Sequence, residues 1–209
     1  MTMDTLIAFA GITFLLAIVP GPNALLILHT SITAGKRCAL ANIFGFAVGF
    51  FIHAFISAKG LSLLMSQSAT AFTLFKWVGV IYLLWLGFSN IRSGLRMTKI
   101  ELDTQKVPKA ETLSSGFIKG LLTNLLNPKI VLFYLSIFPQ FVEPEFILEQ
   151  SMLLGGVQSL VVGSWFVVVI FFATKLKAWL SAPKTSRWLN YVSGTLFIGF
   201  GATLTNTRI

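Results

Sequence analysis

The chain has 209 residues, 55% of them hydrophobic and only 11% charged, with a net charge of +9 and a mean hydropathy of +0.82. Soluble domains carry about 25% charged residues, so composition excludes an ordinary soluble domain. The excess of basic residues lies in short loops between apolar runs, which reads as membrane topology and attraction to anionic lipid and not as a nucleic-acid surface.

Six apolar segments are predicted, at about 5–33, 39–58, 71–91, 113–142, 151–173 and 188–206, each long enough to span a bilayer. The first has no basic leader, and it exceeds a signal-peptide core of about 7–15 residues, so it reads as an uncleaved span. It contains "PGPN", Pro20 to Asn23. Two prolines and a glycine in four residues cannot continue an α-helix, and lipid offers the freed backbone groups no partner. The break is either a packing kink or a lining for a polar cavity.

The second segment carries Gly45 and Gly49 at a spacing that lets helices approach closely, then His53, the one group near neutral titration inside an apolar run. It reads as either a packing histidine or a proton relay. The third holds Tyr82 among glycines and aromatics, a candidate cavity hydroxyl. The linker 92–112 is polar and divides the chain into halves of three spans, 1–91 and 113–209.

The fourth segment contains "NPK", Asn127 to Lys129. Pro128 suits the first turn of a new half-helix, whose N-terminus together with the Lys129 ammonium suits an anionic group. Snorkelling to the interface is the alternative use of that lysine. Overlaying 15–28 on 121–134 without a gap brings Leu15, Leu16, Pro22 and Leu26 onto Leu121, Leu122, Pro128 and Leu132. Paired prolines in the first span of each odd-numbered half indicate inverted repeats with broken helices.

Loop charge sets the orientation. Eleven Lys and Arg fall in the loops after spans one, three and five, whereas the segment 143–149 holds Glu143, Glu145 and Glu149. The basic loops are therefore expected in the cytoplasm and both termini in the periplasm.

What the spans lack bears on function too. They contain no Asp or Glu, and the chain has no H-E-x-x-H, Walker or G-x-S-x-G motif, the usual parts of intramembrane hydrolysis and nucleotide-driven pumping. Cys38 is the single cysteine, which excludes an intramolecular disulfide. No metal or other cofactor is expected.

At "VPGPN", "GFAVGFFIHAFISAKGL", "WVGVIYLLWLGFSNIRSG" and above all "FIKGLLTNLLNPKIVLFYLSIFPQFV", the sequence resembles the LysE/RhtB family of bacterial amino-acid exporters over nearly its whole length. The resemblance implies export of an amino acid or close derivative from the cytoplasm, coupled to the proton gradient. A non-transporting membrane enzyme or assembly factor is the competing reading, and self-association into a homo-oligomer is left open.

The expectation is thus an all-α integral membrane protein of six transmembrane helices in two inverted three-helix repeats. Its substrate site is expected between the breaks, at Pro20, Gly21, Pro22, Asn23, Asn124, Asn127, Pro128 and Lys129, with Tyr82 beside them and His53 as the candidate for proton coupling. Spans without a carboxylate point to neutral substrates of the homoserine, threonine or leucine kind.

Overall fold

The computed structural model describes residues 1–19, 21–67 and 112–173, together with separate helical positions between 77 and 95 and between 175 and 202. Among these residues all regular structure is helical. Helix α1, Met3–Ile18, is capped by Thr2, whose hydroxyl accepts from the Thr5 N–H at 3.2 Å, with Asp4 in its positive first turn. It stops at Val19, which is extended (φ −65°, ψ 120°), the conformation a residue preceding proline prefers.

Helix α2, Pro22–Thr33, restarts with Pro22 at its first position, where a missing N–H is no loss. The axes of α1 and α2 meet at 58°. Gly35, at φ +87°, ends α2 in the left-handed region and returns its N–H to the Thr30 carbonyl at 3.0 Å. Helix α3, Lys36–Gln67, follows without interruption.

In the second half, α4 is Leu113–Leu125, capped by Thr112, and α5 is Pro128–Ser136, beginning again on a proline. Two 3₁₀ turns, Phe138–Phe141 and Pro144–Phe146, lead into α6, Ile147–Phe171. The fourth apolar segment is therefore two short helices and a 3₁₀ turn, broken where the overlay of the halves places Pro128 against Pro22. By length and composition Lys36–Gly60 and Pro144–Phe171 can each cross a membrane, and α1 with α2 meets the same criteria only as a bent pair, the geometry of a broken span or of a re-entrant loop.

Glycines set how α3 meets α4. A Cβ on Gly120 would strike the backbone of Asn42, one on Gly45 the backbone of Phe117 and Leu121, and one on Gly116 the Cys38 carbonyl. Residue numbers rise together along the seam, so the two helices are parallel. Helix α6 runs the other way: Gly155 lies against Ala54 and Gly163 against Ile43. Lys36 accordingly sits over the Phe171 ring, 4.6 Å from its centroid, while the Met1 ammonium pairs with Glu143 at 3.4 Å at the opposite end.

The described positions of the third and sixth segments meet reciprocally. A Cβ on Gly87 would lie 2.8 Å from the Gly194 carbonyl, and one on Gly194 would lie 2.7 Å from that of Gly87. The core is aromatic, with Phe9 buried among Phe133, Phe138 and Phe141 at centroid distances of 5.8, 5.9 and 5.3 Å. Phe44, Ile56, Leu126, Leu160 and Phe171 face outward, which suits lipid and would be costly in water.

Candidate functional site

The two breaks meet. At the end of α4 the chain turns on Asn127, whose side chain works in both directions. Its Oδ1 accepts from the Lys129 N–H at 3.1 Å, capping α5, and its Nδ2 donates to Asn23 Oδ1 at 3.0 Å, reaching the first turn of α2. Both asparagines are buried, so each amide satisfies part of the other's hydrogen-bonding demand.

Lys129 follows Pro128 into α5 and sends its ammonium to the other break. Its Nζ donates to the Leu16 carbonyl at 2.7 Å and to the Val19 carbonyl at 3.0 Å. These oxygens belong to the C-terminal end of α1, where unpaired carbonyls carry partial negative charge. The lysine thus caps a helix in the other half of the chain, neither snorkelling nor standing free. Two of its three donors are used in this way. Gly21 is its immediate neighbour, since a Cβ there would come within 3.2 Å of Nζ.

Between the breaks lies a cavity of ≈ 20 Å³, enough for about one water. Thr13, Leu16, Ala17 and Val19 line it from the α1 side, and Gly21, Asn23 and Ala24 from α2. Phe50 comes from α3, Asn127, Lys129 and Ile130 from the α5 break, and Gln158, Val162 and Phe166 from α6. The only charged group in the lining is Lys129. The N-terminus of α2 has glycine as its cap and receives no side-chain bond, whereas that of α5 is closed by Asn127.

Of the residues expected from sequence, the structure brings Gly21, Asn23, Asn127 and Lys129 to one cavity. Pro22 and Pro128 start helices beside it and are outside its lining. Asn124 is fully buried and sits against Gly49 of α3, also outside the lining. Pro20 and Tyr82 lie outside the described residues.

His53 is buried next to the cavity and not in it. Its Nε2 is 3.4 Å from the Asn124 carbonyl, and its ring stacks on Tyr134 with centroids 5.2 Å apart. The Tyr134 hydroxyl donates to the Phe50 carbonyl at 2.9 Å. Sequence reasoning passed over Tyr134, Thr13 and Gln158. The signal for Gln158 was available: it is an amide in the middle of a long uncharged run, where a polar side chain is expensive and calls for a reason.

A helical membrane protein with a small cavity, mostly apolar with a few polar groups, where two proline-broken helices meet has the site plan of a secondary transporter. The sequence profile of the family described as LysE type translocator matches residues 14–207, and the chain belongs to that family. It is 36% identical over 213 residues to the homoserine/homoserine lactone efflux protein of Salmonella typhimurium, covering 100% of this chain and 99% of that one. It is 30% identical over 194 residues to the threonine efflux protein of Escherichia coli K12, covering 90% and 91%. An uncharacterized membrane protein of Bacillus subtilis, YrhP, is 29% identical over 204 residues, covering 95% and 97%. No solved structure matches the chain.

Proposed function

We propose that this protein exports a neutral amino acid or derivative of the homoserine and threonine class across the bacterial inner membrane, in exchange for protons. The observation that carries the reading is the meeting of both helix breaks at one cavity with a few polar groups in its lining, and with Lys129 beside the uncapped N-terminus of α2. A substrate carboxylate there would have the α2 dipole and the remaining Lys129 N–H as partners. The lining holds no carboxylate, which favours a neutral substrate side chain over a cationic one.

A cavity of ≈ 20 Å³ is too small for an amino acid, which needs several times the room of one water. The structure thus fits a closed state, and loading requires α1–α2 and α4–α5 to part at the cavity. Two inverted repeats, 1–91 and 113–209 joined by 92–112, supply that motion by rocking one against the other. Three features support the repeat: prolines starting α2 and α5 at the aligned positions, the cross-half Asn23–Asn127 bond, and the reciprocal contact of Gly87 with Gly194.

The sidedness of the described helices supports a periplasmic N-terminus, and the loop charge alone carries the same reading for the C-terminus. The starts of α3 and α4 and the end of α6 share one end, that of the basic loops, and Met1 and Glu143 share the other. His53 is the proposed proton-coupling residue, and Tyr82 and Pro20 belong to the proposed lining by sequence position.

Counterflow of radiolabelled homoserine and threonine in proteoliposomes holding the purified protein tests the proposal. Exchange above protein-free vesicles is expected. No exchange of any amino acid would leave a membrane enzyme or assembly factor as the reading.

A further inference from the structure

Most polar groups around the cavity are already engaged. Lys129 donates to two carbonyls, Asn127 uses both ends of its amide, and the Thr13 hydroxyl donates to the Ala10 carbonyl at 3.0 Å. Gln158 is the exception. Its side chain is completely buried, it lines the cavity, and neither its Nε2 nor its Oε1 has a hydrogen-bond partner. Buried amides are normally satisfied, because leaving both ends unpaired in apolar surroundings is costly. Asn42, Asn124 and Ser151 also carry unpaired buried atoms, but none of them lines the cavity.

The position of Gln158 gives the unpaired amide a direction. Gln158, Val162 and Phe166 follow one another at intervals of four along α6, so they form one stripe, and all three line the cavity. Helix α6 therefore supplies an apolar wall with one amide in it. Ligand sites are commonly built this way, with few polar groups in a mostly apolar lining. The anionic end of a substrate is provided for elsewhere, by α2 and Lys129. What the α6 amide faces is the remainder of the molecule.

We propose that Gln158 is the specificity-determining residue of this site, its amide receiving a side-chain oxygen, hydroxyl or carbonyl, of a neutral substrate; this rests on reading the cavity as the site of an exporter. A hydroxyl pairs with an amide in both senses, accepting from Nε2 and donating to Oε1, and a carbonyl accepts from Nε2 alone. A substrate with a purely apolar side chain leaves the amide as unpaired as it is now. A site that hydrogen-bonds a substrate hydroxyl discriminates strongly against the analogue lacking it, for that reason.

The test uses full-length protein in proteoliposomes and three labelled probes: homoserine, threonine and 2-aminobutyrate, the deoxy counterpart of both. The wild type is expected to exchange homoserine, threonine or both at least about tenfold faster than 2-aminobutyrate. Gln158→Leu and Gln158→Met, which remove the amide at similar bulk, are expected to bring that ratio to within about twofold, chiefly by loss of transport of the hydroxylated probes. A wild type that handles all three alike overturns the inference without any variant being needed. So does a wild-type ratio kept in either variant, or an equal loss of all three probes, which marks Gln158 as structural. A wild type that moves no amino acid at all overturns the exporter reading, and this inference with it.

Discussion

Asn127 Nδ2 lies 3.0 Å from Asn23 Oδ1, a buried bond between side chains 104 residues apart that ties the two helix breaks together. Asn23→Ala and Asn127→Ala are both expected to destabilise the protein. Asn127→Ala should cost more, because it also uncaps α5, a loss of about 0.5–2 kcal/mol. The two effects should not add. Interhelical hydrogen bonds in membranes couple by about 0.6 kcal/mol and at most about 1.7, so a double-mutant cycle of unfolding in detergent should return a coupling in that range. A coupling of zero would mean that the bond does not form in the membrane.

Lys129 caps α1, and the proposed site gives the same side chain a second function, so its variants should show both. Lys129→Met leaves the Leu16 and Val19 carbonyls without their donor, about 1–3 kcal/mol for a buried polar group left unpaired. Reduced melting temperature and reduced membrane abundance are therefore expected. At matched abundance, efflux should still fall about tenfold or more, from the lost charge-assisted bond to the substrate carboxylate. Lys129→Arg keeps charge and donors in a different shape and should be intermediate on both counts. A Met variant with full efflux per molecule would restrict Lys129 to its capping role.

The α3–α4 seam gives a contrast between glycines. A Cβ on Gly120 would collide with backbone atoms of Asn42, whereas one on Gly11 of α1 meets nothing within 4 Å. Gly120→Ala should cost about 1–3 kcal/mol by overpacking, with Gly120→Val failing to accumulate. Gly11→Ala should be neutral or stabilising by up to about 1 kcal/mol, as expected of an open helical site. Membrane abundance of Gly120→Val and fluorescence-detected melting of the two alanine variants against wild type measure this, and equal melting temperatures for Gly120→Ala and wild type would show that the helices sit farther apart.

Much of this arrangement was legible in the sequence because proline and intramembrane polarity are loud signals. Pro22 and Pro128 cannot continue a helix, so the breaks could be placed to the residue, and Asn23, Asn127 and Lys129 beside them were natural site candidates. The partner of Lys129 was not legible. An ammonium at a helix start suggests an anion, and nothing local reveals that the chain folds the carbonyls of Leu16 and Val19 onto it from 113 and 110 residues away. Tyr134 was missed for a similar reason, and although Gln158 stands out as an amide in an uncharged run, on a helix apolar all round only tertiary packing decides that it faces a cavity. The glycines of α4 were passed over because close approach depends on both helices, and the pattern in α3 shows one side of the seam alone.

The orientation is open to a direct test. Met1 and Glu143 meet at one end of the helices, with Lys36 and Phe171 at the other, and the sequence assigns eleven Lys and Arg to the loops expected at the second end. Reporter domains fused at Lys106 and after Ile209 should be active in the cytoplasm and in the periplasm respectively. A C-terminus on the same side of the membrane as Lys106 would remove the odd number of spans in the second half, and the inverted repeat could not stand.

The final prediction separates coupling from transport at His53. Its Nε2 lies 3.4 Å from the Asn124 carbonyl, the same oxygen that receives the Asn127 N–H at 3.1 Å across the α4–α5 break. The imidazole thus touches the break between α4 and α5, and its ring stacks on Tyr134, whose hydroxyl donates to the carbonyl of Phe50 in the cavity wall. His53→Gln keeps an amide donor for the Asn124 carbonyl and removes the titratable group. If His53 carries the exchanged proton, efflux driven by a pH gradient should fall about tenfold or more, a proton relay being worth at least about 10²-fold in analogous chemistry. Counterflow at equal pH on both sides, which needs no net proton movement, should persist. Loss of both activities in parallel would make His53 a packing residue, and gradient-driven efflux that survives the substitution would place the coupling elsewhere in the chain.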